Sequence, residues 1–163
     1  MLRSLLIGLV AGMRSMTPLA AVSLADRTGL LRSNSGPSGL LRHPAVVAGT
    51  TALAVGELFG DKMRSAPDRT VAPGIAARLV TGAIAGAAVA PRSQRPAAMA
   101  IGAAAAVAAS YVTFNLRMKA LRRFGQTRSG LVEDAITLLS ALAVVGAGSR
   151  AKPPTRHHTK VRG

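Results

Sequence analysis

Residues Leu5 to Ala25 read LLIGLVAGMRSMTPLAAVSLA, and the fold turns on how that stretch is understood. It is close to the roughly 20 apolar residues that cross a hydrocarbon core as helix, yet Arg14 lies near its middle and Pro18 follows one turn later. At the helical rise per residue, Arg14 falls about 13 to 14 Å beyond Leu5, near a bilayer midplane. A charge at that depth costs a few kcal/mol and requires a partner or water. Proline in a helix interior breaks or kinks it, so the stretch is expected either as one distorted helix or as a re-entrant segment broken near Pro18. Arg3, the apolar run and Ser23-Leu24-Ala25 also resemble a cleavable secretory signal, but the central arginine weighs against that reading.

Working outward, four further apolar blocks follow: Pro44 to Gly60, Pro73 to Ala90, Pro96 to Leu116 and Gly130 to Gly148. Charges gather between these blocks. The chain has 163 residues with 21 Lys+Arg against 6 Asp+Glu, a formal charge of +15, and it is nevertheless 49% hydrophobic. Soluble basic proteins rarely combine those properties. The pattern predicts an all-α polytopic transmembrane helix bundle of about five spans, with residues 1–148 as one domain and 149–163 as a basic, disordered tail. Cysteine is absent, which removes disulfides, thiol catalysis and Cys-based zinc sites.

Orientation is not decided by charge. In a five-span threading the N-terminal side carries 9 basic loop residues and the opposite side 10, so the positive-inside rule does not choose. A miscounted or re-entrant first block would produce such a balance. The Asn34-Ser35-Gly36-Pro37-Ser38-Gly39 cluster reads as loop, and Pro67, Pro73, Pro91 and Pro96 punctuate the later connections.

Small residues recur at helical spacing. Gly8 and Gly12, Gly56 and Gly60, and Gly82 and Gly86 are three GxxxG pairs, and Gly102, Ala106 and Ser110 continue that spacing in the fourth block. Each pair is expected to form a face where backbones approach closely, within one chain or in a homo-oligomer. The charges inside or beside the blocks are Arg14, Glu57, Asp61, Arg69, Arg78, Arg117, Glu133 and Asp134. Five-span threading gathers all of these except the midplane Arg14, together with Lys62, toward one face, the N-terminal one. Four of the six carboxylates belong to this set, so a network in which they offset Arg14, Arg69, Arg78 and Arg117 is expected, as against separate helix-end charges that snorkel to headgroups.

Several of these residues also carry a resemblance. Gly12-Met13-Arg14-Ser15-Met16-Thr17-Pro18-Leu19-Ala20, then Gly56-Glu57-Leu58 leading to Asp61-Lys62, Asp68-Arg69-Thr70, Arg78 before Gly82, and Glu133-Asp134 occur in an order similar to the bacterial family called domain of unknown function 4126. The resemblance covers about residues 5 to 146 and implies a small multi-pass protein of the bacterial inner membrane, with no activity attached. Members often carry proline two residues after the Asp-Lys pair, where this chain has Arg64.

No P-loop, dinucleotide fingerprint, HExxH or GxSxG is present, and the three histidines, His43, His157 and His158, sit at a block end or in the tail. An enzyme is therefore not expected, and neither a cofactor nor a metal is implied. Nucleic acid is disfavoured because the basic residues lie in separate loops and stacking aromatics are scarce. Anionic lipid headgroups at the basic loops and tail account for the charge. The functional expectation is a small transporter or channel-like permease whose pathway uses Arg14, Glu57, Asp61, Arg69, Arg78, Glu133 and Asp134. The alternative is a structural or partner-organising membrane protein.

Overall fold

A computed structural model describes residues 1–31, 39–60, 71–124 and 126–147. Asp61, Arg69 and the 149–163 tail lie outside the described residues. All regular structure among those described is helical: α1 (Leu2–Met13), α2 (Met16–Arg27), α3 (Pro44–Gly60), α4 (Ala72–Ala88), α5 (Arg95–Phe124) and α6 (Gln126–Gly146), with short 3-10 turns at Leu40–Arg42 and Arg92–Gln94.

The first apolar block is two helices rather than one span. Arg14 is extended, with φ −143° and ψ 127°, and α2 begins immediately after Ser15. Pro18 explains the position of the break. A continuous helix would drive its ring against the carbonyl four residues earlier, which is that of Arg14. In the first turn of a new helix, by contrast, the missing N–H is one that has no intrahelical partner anyway. Each arm has 12 residues, about 18 Å of helix, which is too short to cross a bilayer alone. The second arm stops at Gly29, whose φ of 75° lets Leu30 N–H reach back to Ala25 O at 2.9 Å and closes the helix end.

The chain then alternates direction through all six helices. Arg3, at the start of α1, donates to Val89 O at the end of α4 and to Val144 O and Val145 O near the end of α6. Glu57 near the end of α3 meets the α1–α2 break. The N-terminus thus lies at the opposite end of the bundle from the break and its charged neighbours. Five-span threading put them at the same end because it treated residues 5–25 as a single crossing.

Helices α1, α4 and α5 form the tightest part of the bundle. An added Cβ at Gly8, Gly12, Gly82, Gly86 or Gly102 would come within 3.0 Å of a facing backbone atom. Gly102 is where the three helices meet, with Gly8 on one side and Gly82 and Gly86 on the other. Gly56 differs: no described residue lies within 4 Å of an added Cβ, and the surroundings of Gly60 are outside the described residues. Ile7, Val22, Ala25, Leu41, Ala85, Ala88, Val89, Val144 and Val145 fill the end of the bundle near Arg3.

Among the described residues one helical stretch, Arg92–Ala120, is long and apolar enough to cross a membrane; Leu2–Met13, Pro44–Phe59 and Ala72–Ala88 are apolar but shorter.

Candidate functional site

The break between α1 and α2 exposes two sets of unsatisfied backbone groups, carbonyls at the end of α1 and N–H groups at the start of α2. Their partial charges are opposite in sign, and the positive end of α2 is met by a carboxylate. Ser15 N–H and Met16 N–H each donate to the Glu57 carboxylate at 2.9 Å, and the Ser15 hydroxyl donates to the same carboxylate at 2.9 Å. A carboxylate from α3 therefore closes the N-terminus of α2. Ser15 occupies the N-cap position but does not cap with its own oxygen.

Arg14 answers from the other side. Its side chain is 1% exposed. One guanidinium nitrogen donates to Glu57 O at 3.0 Å, a carbonyl in the last turn of α3, and another pairs with the carboxylate of Asp134 on α6. Arg14 thus lies at the negative ends of two helices, and Glu57 engages both sides of the break, one through its backbone and one through its side chain.

The remaining charges surround this centre. Arg117 on α5 pairs with Glu133 on α6 at 3.1 Å. Arg78 on α4 is 6% exposed and donates to Gly74 O at 3.1 Å one turn earlier. Its charge is felt by Glu57, Glu133 and Arg14. Thr137, fully buried on α6, donates to Glu133 O at 2.8 Å and lies 3.9 Å from the Met13 sulfur. Among the described residues the cluster contains three arginines and three carboxylates, so it is locally neutral in a chain of charge +15. That balance suits burial, because a desolvated charge without its counterpart is strongly unfavourable.

Of the residues singled out in the sequence, Arg14, Glu57, Arg78, Arg117, Glu133 and Asp134 come together here from the α1–α2 break and four helices. The backbone donors of Ser15 and Met16 were not anticipated. Serine three residues ahead of a proline is nevertheless an N-terminus signal that could have located the start of α2. A second buried acid was also missed. Asp26 is 1% exposed at the other end of α2 and pairs with Arg42 at 3.1 Å. It follows the first apolar block in the sequence and occupies the last turn of α2.

Chemically, the cluster supplies anion-pairing guanidinium groups, proton-accepting carboxylates and the two ends of an interrupted helix in one place. Among the described residues no group of three acidic or histidine side chains is placed to hold a metal ion. A family model described as Domain of unknown function (DUF4126) matches residues 1–147. No curated protein and no solved structure matches the chain.

Proposed function

Since this chain belongs to the family of domain of unknown function 4126, whose description assigns no activity, we propose its function from geometry: a multi-pass inner-membrane protein acting as a small permease. The observation that carries the membrane reading is an inverted distribution of polarity. Arg14 and Arg78 are buried while Leu2, Phe59 and Leu139 are each more than 60% exposed. A protein surrounded by water arranges these types the other way. Only 33% of the most apolar window of Arg92–Ala120 is buried within the bundle, which fits a helix covered by lipid better than the core helix of a soluble domain. Around it, α1, α2, α3, α4 and α6 complete a bundle in which the two short arms α1 and α2 enter and leave at the same end as a re-entrant pair.

The transport reading rests on the interrupted helix. Half-helix ends facing buried charges are a recurrent way to bind ions within a membrane, since the termini contribute partial charge and the break can rearrange. In this reading Glu57 and Asp134 exchange protons or a small cation, and Arg14 holds the counter-charge. The second reading is a structural or partner-organising protein, favoured by the three donors already satisfying the Glu57 carboxylate. The glycine faces would then serve assembly, and basic loops would hold anionic headgroups.

Purified protein in liposomes carrying a pH-sensitive dye separates the two. The permease predicts proton or cation flux that Glu57→Gln and Asp134→Asn abolish while the protein remains folded. Absence of flux from the wild type under a pH or salt gradient would leave the structural reading. Recovery of untagged, monodisperse protein in the detergent-free supernatant would remove both.

A further inference from the structure

Asp26 and its surroundings carry chemistry that the Arg14 node does not use. The carboxylate is 1% exposed, and Arg42 donates to its Oδ1 at 3.1 Å. Its Oδ2 is buried and has no hydrogen-bond partner among the described residues, and the same holds for the Ser23 hydroxyl, three residues earlier on α2. Residues three apart share a helix face, with Cβ atoms about 5 to 6 Å apart. A hydroxyl within a helix commonly donates to a carbonyl one turn back, as those of Thr50, Ser110, Thr113 and Thr137 do at 2.7 to 2.8 Å. That of Ser23 does not. Two unsatisfied buried oxygens on one helical turn are costly unless a ligand engages both.

The facing helix adds a third oxygen. Glu57 near the end of α3 meets the start of α2, and Arg42 just before α3 meets the end of α2, so the two helices run antiparallel. Equal rise along both from the Glu57–Met16 contact brings Thr50 level with Ser23. Thr50 is buried and shares a stripe of α3 with Ala54 and Glu57; α3 packs chiefly on α2, so this stripe faces it. Because the Thr50 proton is directed to Val46 O, its oxygen is left as an acceptor. Oxygen-only ligand sets suit hard cations, and the last turn of α2 contributes partial negative charge at the same place. One free carboxylate oxygen with two neutral hydroxyls matches a single positive charge. We propose that Asp26, Ser23 and Thr50 bind one small monovalent cation between α2 and α3, with Arg42 as its tethered competitor. The Arg42 side chain is 43% exposed while the carboxylate it holds is buried, so the guanidinium can turn outward as the cation arrives. Asp26 then exchanges one positive partner for another. The assignment is independent of transport, since a bound cation can stabilise a bundle that conducts nothing.

Thermal unfolding of the full chain in detergent, in sodium chloride or in choline chloride at equal ionic strength, tests it. Sodium is expected to raise Tm by about 4 °C relative to choline, and the rise saturates. Asp26→Asn removes the rise. Ser23→Ala diminishes it, whereas deleting a hydroxyl that merely lacked a partner would leave the difference between the salts unchanged. Arg42→Gln removes the competitor, so half of the rise is reached at about fivefold lower sodium concentration. Equal Tm of the parent in the two salts overturns the site, as does an undiminished rise in Asp26→Asn or, should that variant not fold, in Ser23→Ala. A weaker sodium response in Arg42→Gln overturns the role given to that arginine. None of these measurements involves flux, so their failure is distinguishable from failure of the permease reading.

Discussion

Two regions hold the bundle together by different physics. In the glycine seam, α1, α4 and α5 touch backbone to backbone around Gly102, and specificity is steric: no atom can be added. At the Arg14 node, contact is made by long side chains, and specificity is electrostatic: no charge can be removed alone. The seam is insensitive to charge and the node is insensitive to modest changes of volume. Substitutions that exchange those sensitivities would break the distinction.

The largest effect is expected at the node. Arg14→Leu removes a buried guanidinium from the Asp134 carboxylate and from the end of α3, and should cost about 3 to 5 kcal/mol. Unfolding in mixed detergent measures it. Arg14→Leu combined with Asp134→Leu should recover most of that loss, because the dominant cost is an uncompensated charge rather than a missing attraction. If the double variant is as unstable as the sum of the two single ones, the node is not an isolated pair and the comparison must be redrawn.

At the seam, Gly82→Val places a Cβ within 3.0 Å of Gly102 O and should cost about 1 to 3 kcal/mol, detected as a lower Tm with no change in salt dependence. Glu57→Gln should cost less, about 1 to 2 kcal/mol. The amide keeps one oxygen for the donors of Ser15, but its NH2 cannot accept from Met16 N–H and the negative charge at the start of α2 is lost. This variant should remain folded, which is what makes it usable in the flux measurement.

These regions were unequally legible in the sequence. The seam is a local pattern, since Gly8 and Gly12 share one helix face by spacing alone, and their opposition to Gly102 and Ala106 needs only that two such faces meet. At the node, residue types could be read but partners could not. Arg14 demanded a counter-charge, and the threading left four carboxylates, Glu57, Asp61, Glu133 and Asp134, to choose among. The carboxylate it pairs with is Asp134, however, and Glu57 offers Arg14 its backbone carbonyl while its side chain closes α2. The reason is Pro18. By stopping α1 at Arg14 it creates free N–H groups that compete for the Glu57 carboxylate, a demand invisible while residues 5–25 are taken as one helix. The same oversight reversed the end of the bundle at which the N-terminus lies.

The smallest predicted effect is also the one that separates a motif from its use. Gly56 and Gly82 each open a GxxxG pair, and by sequence they are equivalent. No described residue within 4 Å would meet a methyl group at Gly56, whereas Gly82 faces Gly102 O. Gly56→Ala therefore removes only the backbone freedom of a mid-helix glycine and should stabilise by about 0.5 to 1 kcal/mol, opposite in sign to Gly82→Val. The two variants measured side by side in the same detergent decide the point. A loss at Gly56 comparable to that at Gly82 would mean that α3 packs through this face against a second copy or another membrane protein. The steric seam would then extend beyond α1, α4 and α5 to a surface that the isolated chain leaves open.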